Sequence, residues 1–308
     1  MLGFHKLLSF LIGTLCCLSL VGCQSIEEKP ADDILTENVY EEPTEQSTYK
    51  DLSSSVGSPT NIEDLPTDFP LEINDPTYFS DGETPTGKWI MTDGEGRFGY
   101  TIPSGVVEAG SFIEIGLIHT SDENNELARN VRVQIRPCTD EHQCEEPIIE
   151  KEEFVSEIED DFILYEGFVP ATMNRLYRVS LEVIHEDTIE DTLISYMYVP
   201  ENSLNASIEL DEKEDQILTF VLTNYGPTTL TTGEDFSIEQ LIDGKWLIVP
   251  YQNMVKDIAY ILYPGDHSSF TVDTSTFPNG SYRFVKQLHG NPYGLQDAIA
   301  APFSVIDD

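Results

Sequence analysis

From Gly87 onward the chain falls into short runs in which apolar and polar residues alternate, separated by turn residues. Phe112 to His119, FIEIGLIH, puts Ile113, Ile115, Leu117 and His119 on one face and Phe112, Glu114, Gly116 and Ile118 on the other. A period of two belongs to a half-buried strand, whereas a helix would return to one face roughly every 3.6 residues. Lys88 to Met91, Arg97 to Ile102, Val131 to Arg136, Phe162 to Val169, Leu176 to Ile184 and Leu193 to Val199 follow the same rule. After Pro200 to Asn205 the rhythm restarts, with runs at Ser207 to Leu210, Gln216 to Asn224, Phe236 to Ile242, Lys245 to Val249, Ile258 to Leu262, Ser269 to Val272, Tyr282 to Leu288 and Pro302 to Ile306. The pattern predicts an all-β chain of two consecutive antiparallel β-sandwiches of immunoglobulin-like dimensions, over residues 86–200 and 201–308.

The first 22 residues stand apart from this pattern. His5 and Lys6 precede an apolar run from Leu7 to Leu20, too short to cross a bilayer and shaped like an export signal. Leu20-Val21-Gly22-Cys23 follows, and it resembles the lipobox of bacterial lipoproteins. That resemblance implies cleavage before Cys23, thioether lipidation of its sulfur and acylation of its new amine. Residues 1–22 are then a lipoprotein signal peptide, and the membrane is a partner through the lipid anchor. The folded part is expected at the cell membrane, lipid-anchored and facing outside, because each buried acyl methylene contributes ~0.8 kcal/mol.

Residues 23–85 read as a disordered acidic linker. EEKPADD, EEPTEQST and SSSVGSPT are rich in acids, Ser, Thr and Pro and hold too few apolar residues to offset the entropy of ordering. A flexible chain of that length would hold the first sandwich ~40 Å from the membrane, with pieces such as LPTDFPLEI docking weakly on it. The acidity extends over the whole chain, with 56 Asp and Glu against 16 Lys and Arg and a formal net charge of −40. Phosphate backbones repel such a surface, which excludes nucleic acid as a partner.

Two cysteines remain outside the leader and the lipobox. Cys138 and Cys144 bracket a polar turn in PCTDEHQC, and outside the membrane they are expected to form a disulfide. Zinc held by Cys138, His142 and Cys144 would lack a fourth ligand other than a carboxylate. Asp93, Glu95, Glu157, Glu159, Asp160 and Asp161 could offer oxygens to calcium, but solvated turns explain them equally. No metal and no cofactor is therefore expected. The chain contains no nucleophile elbow, HExxH, phosphate loop or dinucleotide glycines, and its six histidines are scattered. The chain is not expected to be an enzyme.

The C-terminal region carries the most specific motifs. In order, these are N-Y-G-P at Asn224 to Pro227, S-I-E-Q-L-I-D-G-K-W at Ser237 to Trp246, L-Y-P-G at Leu262 to Gly265 and G-S-Y-R-F-V-K at Gly280 to Lys286. Together they look like the bacterial Ig-like domain found in exported lipoproteins of low-GC Gram-positive bacteria. The resemblance implies a sandwich fold and an external location, and it brings no catalytic residues. Read from the residues themselves, Asp243-Gly244 is a hairpin turn. Trp246 caps one end of the core and Tyr282 ties down a loop through its hydroxyl. The loop HGNPYGLQ joins the last two strands, and His289, Asn291 and Tyr293 are its candidate binding residues. The functional expectation is a non-catalytic binding or adhesion module whose partner is an envelope protein or wall polymer. An extracellular proteinase inhibitor built on the same kind of sandwich is the alternative.

Overall fold

In a computed structural model, residues 40–58, 65, 85–92, 94–120, 125–139, 143–251 and 259–306 are described. Their regular structure is all strand, arranged in sheets around two large apolar cores and a smaller apolar cluster of Cys138, Leu176, Ile194, Tyr196 and Tyr198, within one compact unit, residues 38–308. Cys23, Asp93 and His142 lie outside the described residues.

The first sandwich packs a three-stranded sheet on a five-stranded one. The small sheet is ordered β3 (Phe98–Thr101), β5 (Phe112–His119), β8 (Phe162–Phe168). The larger sheet is ordered β4 (Gly105–Val106), β10 (Thr188–Val199), β9 (Arg175–His185), β6 (Glu126–Cys138), β7 (Ile149–Glu157). Alternation sends Ile113, Ile115 and Leu117 inward, where they join Val131, Val133 and Ile135 and then Val179, Leu181 and Val183 in one core. β9 and β10 form a single long hairpin, so β10 begins five residues before the expected Leu193. Its turn residues Glu186 and Asp187 have φ of 47° and 62°, the left-handed geometry that a two-residue hairpin needs. Neither residue is the Gly or Asn that signals such a turn in a sequence.

The second sandwich packs β17 (His267–Asp273), β12 (Ile217–Asn224) and β11 (Ala206–Glu214) on a larger sheet. That sheet contains β15 (Lys245–Val249), β14 (Ser237–Ile242), β18 (Gly280–Asn291), β13 (Thr229–Thr232) and β16 (Tyr260–Leu262), with β19 (Leu295–Val305) also paired to β18. Between the sheets lie Phe220, Phe284, Tyr282 and Phe303, with Phe220 and Phe284 stacked at 4.5 Å.

The expectation of a disordered linker is corrected over residues 40–58. These residues form a strap around the second sandwich. β1 (Glu45–Gln46) pairs with the edge strand β15, and β2 (Ser55–Val56) pairs with β11. Between them the Ser53 carbonyl accepts from Ala300 N–H of one sheet, and the Ser54 carbonyl accepts from Ile208 N–H of the other, both at 2.8 Å. The strap thus satisfies backbone groups that an open sandwich edge would leave bare. At its start, the Tyr40 ring meets Phe277 edge-on and its hydroxyl donates to Gln240. Leu65, the one described residue of LPTDFPLEI, is buried beside Gly226 of the second sandwich.

The two sandwiches share a hydrogen-bonded junction. Tyr198 Oη–H donates to the Pro227 carbonyl at 3.0 Å, and Tyr293 Oη–H donates to the Pro200 carbonyl at 2.7 Å. Within the second sandwich, Thr228 Oγ1 lies within 3.1 Å of the Glu201 carbonyl and 2.5 Å of the Ser203 carbonyl and pins the segment that follows the junction. Burial pushes the Tyr198 hydroxyl well above its ordinary pKa, so it stays a donor.

Candidate functional site

The hairpin built on Asp243-Gly244 organises the outer face of the larger C-terminal sheet. Both turn residues have positive φ, 51° and 76°, so Ile242 and Lys245 pair directly. Glu239 and Arg283 then stand opposite each other on β14 and β18, 1% and 4% exposed. Arg283 Nε and Nη2 both reach Glu239 Oε2, at 2.7 and 2.6 Å. The Trp246 ring lies 4.4 Å from the guanidinium, so this tryptophan covers an ion pair on the outer face instead of capping the core as expected.

The strap crosses directly above this pair. Ser47 Oγ–H donates to Glu239 Oε1 at 2.7 Å, and Arg283 Nη2–H donates to the Tyr49 carbonyl at 2.8 Å. Tyr49 is thereby held over β18 and β19, where it walls an open cavity of about 310 Å³. Gln287, Leu288, His289, Gln296, Asp297 and Ala298 line the rest of it. His289 and Gln296 are register partners on adjacent strands.

The expected recognition loop is divided between roles. His289 lines the cavity just described. Asn291 Nδ2–H donates to Thr231 Oγ1 at 2.5 Å and fixes the loop to β13. Tyr293 turns to the first sandwich, where its hydroxyl donates to Pro200 and accepts from Ala109 N–H at 3.4 Å. Tyr293 is therefore a junction residue, not a free ligand anchor.

The remaining motifs form one network. Asn224, fully buried, donates through Nδ2 to the Thr228 and Leu262 carbonyls, both at 2.9 Å, and accepts from Gly226 N–H. Gly265 N–H donates to the Asn224 carbonyl at 2.8 Å, which joins N-Y-G-P to L-Y-P-G. Gly226 has φ of 63°, and a Cβ there would come within 2.7 Å of Pro264. Tyr282 Oη–H donates to the Pro278 carbonyl at 2.7 Å, the tyrosine-corner arrangement of such sandwiches. Residues 201–304 match the bacterial Ig-like domain.

The strap, ion pair and cavity therefore all sit on this Ig-like domain. No match is found among curated proteins. Among solved structures, the chain is similar to red sea bream transglutaminase at 12% identity and a TM-score of 0.28, covering 68% of this chain and 31% of that one. It is also similar to the class 5 fimbriae chaperone CfaA, at 13% identity and a TM-score of 0.31, covering 68% and 99% of the two chains. Extracellular domains 3–5 of Drosophila OTK give 12% identity and a TM-score of 0.20, covering 66% and 63%. The chain thus spans about a third of the transglutaminase.

Outside the Ig-like domain, Cys138 and Cys144 form the expected disulfide at the end of β6. A second polar cluster closes the far end of the first sandwich. A bulge between Ile189 and Asp191 leaves Glu190 outside the register. Glu190 accepts from Trp89 Nε1–H at 2.9 Å and Arg129 Nε–H at 2.8 Å, with Lys88 Nζ 3.0 Å away. The Arg129 hydrogen bond, aided by Lys88 and Trp89, holds the Glu190 carboxyl down at about 2. Asp191, buried beside it, accepts from Thr86, Trp89 and Ile90 N–H and so clamps the incoming chain. Phe112 and Phe168 pair across β5 and β8 on the outer face, 58% and 66% exposed.

In the Ig-like domain, Lys286 is buried, and burial lowers its pKa even though Asp235 opposes the shift. Its ammonium donates to the Gly233 carbonyl at 2.9 Å and to the Asp235 carbonyl, anchoring that loop. Among the described residues, no three His, Cys, Asp or Glu side chains gather as metal ligands.

Proposed function

We propose that the chain is an exported lipoprotein, anchored through Cys23, that presents its two sandwiches outside the membrane as a non-catalytic binding or adhesion module. Its partner in this reading is an envelope protein or wall polymer. The match of residues 201–304 to the bacterial Ig-like domain carries the reading. The L-V-G-C sequence ending at Cys23 supports the anchor. The junction at Tyr198 and Tyr293 supports display of both sandwiches as one body with a fixed relation between their surfaces. The exposed Phe112–Phe168 pair supports contact with a macromolecule, because paired exposed aromatics favour removal from water.

Mass spectrometry of the N-terminal peptide from membrane-extracted protein tests the anchor. The reading expects a chain beginning at a diacylglyceryl-modified Cys23, and an unmodified, uncleaved precursor that keeps residues 1–22 in a Cys23→Ala variant. An unmodified Cys23 in membrane-associated protein would contradict it.

A further inference from the structure

Building on the binding-module reading, we propose that the cavity between Tyr49 and the β18–β19 hairpin is a subsite for an uncharged pyranose of an envelope glycan. Its volume of about 310 Å³ lies at the lower end of ligand pockets, ~300–1,000 Å³. The chemistry of its walls narrows the ligand class. Gln287 and Gln296 each bring two N–H donors and a carbonyl acceptor, and His289 brings one donor and one acceptor when neutral. Asp297 Oδ1 accepts from the Ala298 N–H at 2.8 Å, and its register partner is core-facing Leu288, so its carboxylate belongs to the opposite face from Gln287, His289 and Gln296. Among the described residues, the side chains of Gln287, His289 and Gln296 have no hydrogen-bond partner within the protein.

A lining that mixes donors and acceptors suits hydroxyl groups, each of which is both. Tyr49 adds a flat apolar wall that suits the C–H face of a sugar ring. The wall is held in place from its backbone, through Ser47 Oγ on its N–H at 3.0 Å and Arg283 on its carbonyl. Removing the Tyr49 ring therefore leaves the strap's anchoring bonds intact. Ala298 lies opposite Gln287 in the register, where a larger residue would intrude on the cavity. Charge selects among glycans. A chain of formal net charge −40 repels phosphate- or uronate-bearing polymers, so the subsite favours neutral sugars, N-acetylated ones included.

The test uses the mature chain without its leader and lipidated cysteine, residues 24–308. Linear β-1,4-linked N-acetylglucosamine and β-linked glucose tetramers serve as neutral probes, and a galacturonate tetramer as the acidic one, read by titration calorimetry and amide chemical shifts. The proposal expects a neutral tetramer to bind and shift the amides of residues 287–298, with the galacturonate inert. Tyr49→Ala is expected to weaken binding about tenfold, Tyr49→Phe to retain it, and Gln287→Ala with Gln296→Ala to weaken it by at least as much. Unchanged melting temperatures would separate these effects from unfolding. The proposal is overturned if neither neutral tetramer binds at about 10 mM, a free energy below ~3 kcal/mol. It is equally overturned if Tyr49→Ala and the double glutamine variant bind as the parent does. In either case, continued capture of an envelope component by the protein leaves the binding-module reading standing, whereas loss of all capture removes both.

Discussion

Arg283→Met is the substitution that most directly tests how the strap is held. In the parent, the guanidinium makes two short contacts to Glu239, donates to the Tyr49 carbonyl and lies against Trp246. Methionine fills much of the same space but leaves Glu239, 1% exposed, with Ser47 as its remaining partner. Removing one member of a buried pair costs ~3–5 kcal/mol, because the other charge stays desolvated. That is a large share of the ~5–15 kcal/mol by which a domain is stable. Replacing both members, Arg283→Met with Glu239→Leu, removes the stranded charge and should restore most of the loss. A double-mutant cycle in urea should thus give a coupling of at least ~2 kcal/mol. In both variants amide exchange at Ser47 should accelerate, because the Tyr49 carbonyl has lost its donor. A single-variant loss below ~1 kcal/mol, or two single losses that simply add, would refute the account of a buried, strap-bearing ion pair.

Three further outcomes are expected. Replacing Glu186-Asp187 with Asn-Gly should stabilise the first sandwich by ~1–2 kcal/mol, read as a higher urea midpoint with unchanged slope, since both residues now occupy left-handed geometry. Glu190→Gln should cost ~1–2 kcal/mol at neutral pH, because the folded carboxyl sits at about 2 and the free one near 4.5, with solvent screening reducing what that difference contributes. A depressed pKa gives stability that is present above the unfolded value and lost as pH falls through the folded one, so urea melts of parent and variant should converge near pH 2. Tyr293→Phe with Tyr198→Phe removes three junction bonds, those to Pro200 and Pro227 and the one from Ala109 N–H, and should loosen the sandwiches by ~1–4 kcal/mol, read as earlier proteolysis between residues 200 and 205.

Much of the architecture was legible because burial leaves a period in the sequence. Ile113, Ile115 and Leu117 had to share a face, and Asp243-Gly244 had to turn. Tyr282 and the Cys138–Cys144 pair were legible for local reasons, one a corner position and the other a short closed loop. The strap was not legible. Its strands are two residues each and pair through backbone, which any side chain permits, so Glu45-Gln46 and Ser55-Val56 carry no alternation. The start of β10 was hidden because Glu186 and Asp187 adopt positive φ without the usual Gly or Asn. The cavity was half visible. His289 stood out beside its loop, but Tyr49 lies some 240 positions earlier in the chain and becomes a wall only once the strap crosses the sheet. Trp246 had the right strand and the wrong face, since its partner Arg283 is chosen by register across two strands.

The binding-module account is tested most directly by capture from the envelope. The lipid-free chain, immobilised through its N-terminus, is incubated with solubilised envelope proteins and with fragmented wall polymer, beside a heat-unfolded control. The account predicts recovery of a defined protein or polymer by the folded chain and not by the control. Recovery of nothing beyond the control from either fraction would contradict it.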